Sequence, residues 1–353
     1  MKNRLFISFI AMSVSICLLA FLFGCNNATS GGGGESHTVG ILIVPTAYFG
    51  NDQNNRIYYH AIPFLLNIAG TIELGCYKPY HIAASPDGKK IYVSCAASPE
   101  IVVIDTGTNT ITGLITLDVL SRSSAMRVSG DGNILYMGSS DSNDLYKVYL
   151  STGTWESRYF GGSVGAIALK PDGSRIYFCG NGQYIFFGST TYPFNTTEVI
   201  DLGPSNTCYD MAVKDGKVYA PVWSSSFGKC LIINMTGESY SLITGEGDEY
   251  FGVVGVPGSD EVYVSRHISQ GRVLIIDTLT PTFEAEDISD GTNLVYPDYM
   301  AADGRYVCVM DPLPSSHQNV GNINTQTRSV EAYIAMPGST IGVNNIVIVN
   351  RVW

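Results

Sequence analysis

The chain has 353 residues, enough for one large domain or two of average size. Charged residues make up only 14% of it and hydrophobic residues 45%, a combination that excludes a disordered protein. The formal net charge of −11, with a pI near 4.8, argues against a nucleic-acid-binding surface. No nucleic acid is therefore expected among its partners.

The N-terminus has the features of a secretory signal. Two basic residues precede an apolar run from Leu5 to Phe23, and Gly24-Cys25 follow it directly. With Leu22, this ending resembles the lipobox of bacterial lipoproteins, which implies that Cys25 becomes the lipidated mature N-terminus. An uncleaved anchor helix is the alternative, because about 19 apolar residues are long enough to span a bilayer.

A polar, glycine-rich segment follows Cys25 and predicts a flexible tether. The expected organisation is a signal peptide at 1–24, a lipidated N-terminus and tether at 25–37, and a folded body at 38–353. We expect the protein in a bacterial cell envelope, on the periplasmic face or the cell surface. It would contact the membrane through the lipid anchor only.

The body is built from a repeat. A short apolar strand runs from Pro79 to the turn Pro86-Asp87-Gly88, and a second strand containing Tyr92 follows it. Two further strands complete a unit of four strands in about forty residues. The turn recurs every 41–45 residues, at Asp131-Gly132, Asp172-Gly173, Asp215-Gly216, Pro257-Gly258, Asp303-Gly304 and Asn344-Asn345.

Four-stranded antiparallel units at this period are typical of a β-propeller. Six complete units begin near residues 79, 121, 162, 204, 246 and 290. The N-terminal piece supplies strands around Gly40–Thr46, Arg56–Ala61 and Thr71–Leu74 but lacks an opening strand, which Thr340–Val352 is expected to supply. The prediction is an all-β, seven-bladed propeller closed by the N- and C-terminal strands, with eight blades as the alternative.

The unit around Asp87 also resembles a known repeat. Its segments Ser85–Gly88, Ile91–Ser94 and Val102–Thr110 are similar to the YVTN-type β-propeller repeat. That repeat occurs in bacterial and archaeal surface and periplasmic proteins, beside quinoprotein-like and lactonase-like propellers. The resemblance implies a fold and a location, because its residues build turns and strand cores and carry no chemistry of their own.

In this family, the loops that enter strand one and those that join strands two and three share one rim, the usual ligand face. Aromatic, acidic and imidazole side chains on that rim are able to stack on a ligand ring or hold a cation, although they also commonly finish strand ends. The candidates are Tyr80, His81, Tyr209, Asp210, Trp223, Glu249, Tyr250, Arg266, His267, Tyr296, Asp298 and His317. No zinc, haem, nucleophile-elbow or phosphate-loop motif occurs, so neither a metal nor a cofactor is predicted.

Six cysteines remain after Cys17 leaves with the signal and Cys25 takes the lipid, and an exported protein permits disulfides among them. Cys76 with Cys95, and Cys208 with Cys230, bracket strands that return to one rim, so two disulfides are expected. Cys179 and Cys308 fall in second strands of different blades, which favours buried free thiols.

The preferred interpretation is a ligand- or protein-binding scaffold of the cell envelope. Its partner would be another envelope protein, a glycan or a small molecule. The alternative is a lactonase-like or lyase-like enzyme that acts at the central pore. A redox subunit resembling quinoprotein or haem propellers is a third interpretation.

Overall fold

The computed structural model describes residues 43–51, 55–62, 69–76, 78–96, 98–117, 123–180, 183–224, 228–245, 249–267, 272–288, 296–311, 319–335 and 346–352. The predicted signal peptide, Cys25, the tether, His317 and the Asn344-Asn345 turn lie outside these ranges. By its internal contacts the chain divides into Pro45–Arg351 and a second unit of Met1–Val44 with Val352–Trp353. Among the described residues, no helix has the length and apolar character needed to cross a bilayer.

The described strands pair into antiparallel sheets, the blades, each containing strands one to four from the inside outwards. Blade 1 consists of β1 (Ile43–Asn51), β2 (Arg56–Ala61), β3 (Ala69–Glu73) and the C-terminal β29 (Ile346–Val352). Blade 2 contains β4 (Pro79–Ala84), β5 (Lys90–Cys95), β6 (Glu100–Asp105) and β7 (Thr110–Thr116). Blade 3 contains β8 (Ser123–Val128), β9 (Ile134–Ser139), β10 (Asp144–Tyr149) and β11 (Trp155–Tyr159).

Four further blades follow in chain order. Blade 4 contains β12 (Val164–Leu169), β13 (Arg175–Gly180), β14 (Tyr184–Ser189) and β15 (Thr196–Asp201). Blade 5 begins with a divided strand one, β16 (Thr207–Cys208) and β17 (Ala212–Lys214), and continues with β18 (Lys217–Trp223), β19 (Lys229–Asn234) and β20 (Tyr240–Thr244). Blade 6 contains β21 (Tyr250–Gly255), β22 (Glu261–Arg266), β23 (Arg272–Asp277) and β24 (Thr282–Ile288). Blade 7 contains β25 (Met300–Ala302), β26 (Tyr306–Asp311), β27 (Asn319–Asn324) and β28 (Ser329–Ala335). The described strands therefore form seven blades.

The repeated Asp-Gly turns fold for a local reason. The Asp87 carboxylate accepts hydrogen bonds from the Ser85 hydroxyl at 2.6 Å and from the Lys89 amide at 3.1 Å. Gly88 then adopts a φ of 68°, which a residue with a side chain rarely tolerates. Asp131 repeats this arrangement in blade 3, so the aspartate and glycine of the motif build the turn between strands one and two.

Both faces of each blade are buried, which explains the low charge of the chain. Along β1, Phe49 packs against blade 7 and its neighbour Tyr48 packs against blade 2. Seven apolar clusters form in this way, one between each pair of neighbouring blades, and the cluster between blades 7 and 1 completes a ring. The protein is a seven-bladed β-propeller, as the repeat predicts.

The ring closes as expected, through a strand from the C-terminus. β29 pairs with β1 as the innermost strand of blade 1. Its Ile346 and Val349 side chains are 2% and 3% exposed, and they join the clusters on opposite sides of the blade. β1, at Ile43–Asn51, overlaps the predicted strand at Gly40–Thr46 and extends beyond it, and its Tyr48 and Phe49 fill these two clusters.

One predicted disulfide is present. Cys76 and Cys95 are bonded, with 6.3 Å between their Cα atoms, and they connect the entry to β4 with the end of β5. The predicted Cys208–Cys230 bond is wrong, because both thiols are free and buried. Cys208 pairs with Val222 and Cys230 with Pro221, two adjacent residues of β18 whose side chains point to opposite faces. The two thiols therefore lie on opposite sides of blade 5.

Candidate functional site

Strand pairing gives the blades a common frame of reference. In blade 2 the repeat tyrosine Tyr92 pairs with Ala83 of strand one, and in blade 5 Tyr219 pairs with Ala212. In each of blades 2 to 7, one residue of strand one pairs with the repeat tyrosine, or with Val307 in its place in blade 7. We call the residue three places before it in the chain the rim position. In blades 2 to 7 the rim position is occupied by Tyr80, Ser124, Gly165, Tyr209, Phe251 and Tyr299.

All six rim positions line one cavity of about 340 Å³, which we call cavity one. Its wall is completed by Ser140, Ser163, Cys179, Thr207 and Cys208. The cavity lies at the end of the central channel where the chain enters strand one. Because the six residues are equivalent in the repeat, differences among them give the cavity its shape.

One side of cavity one is aromatic. Tyr209 stacks on Phe251 with 4.6 Å between the ring centroids, and Phe251 meets the edge of Tyr299 at 5.3 Å. Trp223 lies edge-on to Tyr209, with 6.5 Å between the ring centroids. Burial raises the pKa of Tyr299 well above its ordinary value, and nearby carboxylates add to the effect, so this side of the wall is uncharged at neutral pH.

The opposite side of the cavity carries small side chains. Blades 3 and 4 place Ser124 and Gly165 at the positions where blades 5 to 7 place aromatic rings. A Cβ atom at Gly165 would lie 3.8 Å from the Cys179 Cβ and 3.7 Å from the Cys208 carbonyl oxygen, which is ordinary contact. The space beside the aromatic rings therefore exists because these two blades lack a large residue.

A second cavity of about 470 Å³ lies three residues further along the inner strands. Its lining includes Arg127 and Asp210, whose Nη2 and Oδ1 atoms are 3.0 Å apart. The Asp210 carboxylate also accepts hydrogen bonds from the amides of Met211 and Val253, at 2.8 and 3.2 Å. Burial raises the pKa of Asp210, and Arg127 with the two amides offsets only part of this effect. This ion pair joins blade 3 to blade 5 across blade 4.

A histidine–carboxylate pair lies against the aromatic side of cavity one. His267 Nδ1 contacts Asp298 Oδ1, and the imidazole ring lies 5.7 Å from Phe251 and 5.2 Å from Tyr296. Burial lowers the pKa of His267, but the hydrogen bond and charge of Asp298 outweigh it, so the pKa is raised overall. The pair is placed to hold or move a proton beside the aromatic wall.

Tyr80 and Tyr209 are the two predicted ligand-face residues that line cavity one, with Trp223, His267, Tyr296 and Asp298 behind its aromatic wall. His81 and Tyr250 do not line cavity one, although the His81 ring lies 6.4 Å from that of Tyr299. Tyr250 is fully buried against Phe283 between blades 5 and 6, and His81 is 3% exposed inside the ring. The carbonyl of Glu249 accepts the His267 amide at 2.9 Å, and Arg266 is half-buried opposite Tyr250.

The sequence reasoning missed several residues of cavity one. Phe251 and Tyr299 stand one place beyond the predicted Tyr250 and Asp298, and Ser124 and Gly165 have no aromatic character to attract notice. Alignment of the units on the repeat tyrosine, rather than on the turn, would have found Ser124, Gly165 and Phe251, which like Tyr80 stand twelve residues before it. Tyr299 would still have been missed, because blade 7 has Val307 in place of the tyrosine and Tyr299 stands only eight residues before it. No group of three or more His, Cys, Asp or Glu side chains is placed to hold a metal ion within the described part of the chain.

No model of a known protein family matches the chain, and no curated protein sequence matches it. Solved structures do resemble it. Hydrazine synthase from Kuenenia stuttgartiensis is 16% identical with a TM-score of 0.64, covering 77% of this chain and 95% of that one. The chain is a β-propeller.

Two further structures agree on the fold. Apo AztD from Citrobacter koseri is 11% identical with a TM-score of 0.59, covering 88% of this chain and 98% of that one. A functionally unknown protein from Desulfotomaculum acetoxidans is 13% identical with a TM-score of 0.65, covering 84% and 98%. At these sequence identities, the similar structures show the architecture of this propeller and not its function, which has to be argued from its own residues.

Proposed function

We propose that the protein is an exported envelope lipoprotein whose propeller binds a small uncharged ligand in cavity one. The observation that carries this proposal is the arrangement of the rim positions. Four aromatic rings, Tyr80, Tyr209, Phe251 and Tyr299, face the small residues of blades 3 and 4 across an open space. Propellers in general have a central channel, so the opening itself carries no argument, whereas an aromatic wall opposite small side chains suits a flat ligand.

The chemistry of the wall defines the kind of ligand. Cavity one, at about 340 Å³, falls in the range of small-molecule sites. Its described lining contains aromatic rings, hydroxyl groups and thiols, and no charged side chain. Such a wall favours a neutral ring compound with a flat face to stack on Tyr209 or Phe251 and a polar edge to meet Ser124 and Thr207. Neutral sugars and neutral aromatic heterocycles both have this character.

Filling the cavity is expected to abolish binding without removing any aromatic residue. Gly165→Leu projects a side chain into cavity one, because a Cβ at this position meets only ordinary contacts. A panel of neutral monosaccharides and of indole-like heterocycles, screened by thermal shift and by Trp223 fluorescence, should yield a compound whose affinity falls about tenfold or more in this variant.

Gly113→Leu is the matched control for the cavity variant. Gly113 lies on the outermost strand of blade 2, where an added Cβ meets only Val103 at 3.9 Å. It should bind the same compound with unchanged affinity. Equal binding by the Gly165→Leu variant would reject cavity one as the site.

The proposed location depends on other features. The basic and apolar start with Leu22 and Cys25 supports export and lipidation, and the YVTN-type residues around Asp87 support a surface or periplasmic setting. The Cys76–Cys95 bond is typical of proteins that fold in an oxidising compartment.

Cys25→Ala is expected to abolish labelling by radioactive palmitate and to leave an unprocessed precursor, because only the Cys25 thiol is able to take the lipid. Cys17→Ala is the control, since it changes a cysteine inside the same apolar run and should label normally. Normal labelling of the Cys25 variant would exclude the lipoprotein proposal.

A lactonase-like or lyase-like enzyme is the second candidate function. The His267–Asp298 pair favours it, because an imidazole with a raised pKa beside a ligand cavity is suited to act as a general acid. Release of product from a lactone panel, lost in His267→Gln, would favour catalysis over simple binding.

A further inference from the structure

Two thiols outside any disulfide meet in the wall of cavity one. Cys179 lies on β13 of blade 4 and Cys208 on β16 of blade 5, and both belong to the apolar cluster between these blades. The Cys208 thiol donates to the Asp210 carbonyl oxygen at 3.2 Å, and a hydrogen bond joins it to the thiol of Cys179. Although little of either side chain is exposed, both line the cavity.

Blade 4 is shaped so that both thiols reach the cavity. The pairing of β12 with β13 shifts its register between Val164 and Ile167, directly beside Cys179, and blades 2, 3 and 6 have a similar shift between their strands one and two. The rim residue within this shift is Gly165. A side chain at this position would stand next to Cys179 and Cys208, and glycine has none. The other five rim positions carry a side chain, so this is the one place among blades 2 to 7 where the wall opens onto sulfur.

The remaining free cysteines provide a contrast within the same protein. Cys230 and Cys308 are also fully buried, but they belong to other clusters and line neither cavity described above. Burial raises the pKa of Cys230 to about 12, and its thiol donates to the Leu231 carbonyl oxygen at 3.7 Å. The hydrogen bond to Cys179 and burial also raise the pKa of Cys208, so the direction of the pKa shift does not separate Cys208 from Cys230. Cys179 and Cys208 therefore differ from them by mutual contact and by access to the channel.

We propose that Cys179 and Cys208 are a redox-active pair that closes into a disulfide between blades 4 and 5, in the wall of cavity one. The oxidant is an external disulfide. The thiolate of one cysteine attacks a sulfur of that disulfide, breaks its S–S bond and forms a mixed disulfide, and the thiol released takes up the proton. The second cysteine then attacks the mixed disulfide, forms the Cys179–Cys208 bond and expels a second thiol.

The net change is the oxidation of two protein thiols and the reduction of one external disulfide. The Cys76–Cys95 bond shows that the chain already contains one cysteine pair in oxidised form. Closure of the disulfide removes the thiol hydrogen of Cys208 and with it the hydrogen bond to the Asp210 carbonyl oxygen. It also changes the cavity wall beside Gly165. Occupancy of cavity one would then depend on redox state, although the bond itself requires no ligand.

The test uses the full chain, purified from the envelope and treated with 2-hydroxyethyl disulfide, a probe small enough to enter cavity one. After denaturation, free thiols are alkylated and the protein is digested with trypsin. Cys179 and Cys208 lie together on one tryptic peptide, 176–214, because no Lys or Arg separates them. We expect this peptide to lose both alkylation sites and the mass of two hydrogens, and its halves to stay linked after cleavage at Glu198.

The other thiols are controls in the same digest. Cys230 lies on peptide 230–266 and Cys308 on peptide 306–328, and both should remain alkylated. In Cys179→Ser, Cys208 should retain the hydroxyethylthio group, because the resolving thiol is missing. Full alkylation of both cysteines on peptide 176–214, or a bond from Cys208 to Cys230, would overturn the proposal. Neither result depends on whether cavity one binds a ligand.

Discussion

Deletion of residues 340–353 is expected to cause aggregation and to lower the free energy of unfolding by about 5 kcal/mol or more. The deletion removes β29, the innermost strand of blade 1, and with it the buried side chains of Ile346 and Val349. These residues serve different interfaces, one with blade 7 and one with blade 2, so both clusters open and β1 becomes an exposed edge. Each buried aliphatic side chain lost from a core costs about 2–5 kcal/mol.

Urea denaturation and light scattering of the truncated chain measure this effect. A matched pair of point variants separates the effect of lost side-chain packing on stability from the effect of a missing strand. Ile346→Ala should cost about 2–5 kcal/mol, whereas Asn350→Ala, on the same strand but exposed, should change stability by less than about 0.5 kcal/mol. A truncated protein as stable as the full chain would show that β29 does not close the ring.

Acidification from pH 7 to pH 4 is expected to destabilise the protein through His81. Burial lowers the pKa of His81 to about 3, and the Arg127 cation adds to this effect, whereas the unfolded chain has a pKa near the ordinary 6.5. The unfolded state therefore binds the proton first as the pH falls. The stability that a neutral His81 provides is complete above pH 6.5 and is lost towards pH 3, about 3 kcal/mol of it by pH 4.

His81→Met tests this dependence, because blade 7 carries Met300 at the equivalent position. The variant should lose about half of the difference in unfolding free energy between pH 7 and pH 4, measured by urea denaturation at each pH. The rest should remain, because burial also lowers the pKa of His60, to about 4, and that histidine loses its contribution over the same pH range.

His267→Gln is the control for the His81 experiment. The raised pKa of His267 has the opposite sign, so its contribution is present below pH 6.5 and is lost as the pH rises through its folded pKa. His267 itself is then charged in both states over most of the acid range, so any change of the acid limb in this variant comes from Asp298, whose pKa the His267 cation lowers. An undiminished acid slope in His81→Met would show that His81 is protonated in the folded protein.

Much of the fold is determined by the sequence alone. The Asp-Gly turns act locally, through side chains such as Asp87 and Asp131 that fold the chain before any blade packs. Because a four-stranded unit repeats at a fixed period, the number of blades follows from counting turns. The missing first strand then requires a strand from the C-terminus. The sequence proposes two disulfides on the same ground, and only the structure separates Cys76–Cys95, which forms, from Cys208–Cys230, which does not.

The composition of the site was decided by tertiary structure. In a blade buried on both faces, neighbouring residues such as Tyr250 and Phe251 are equally apolar, and only strand pairing determines which one faces the channel. The same alternation separates Cys208 from Cys230, while the packing of blade 4 on blade 5 brings Cys208 to Cys179. Which of two neighbouring residues faces the channel depends on bulges and on contacts between blades, and these involve residues distant in sequence. Local patterns therefore establish the ring but leave its inner surface undetermined.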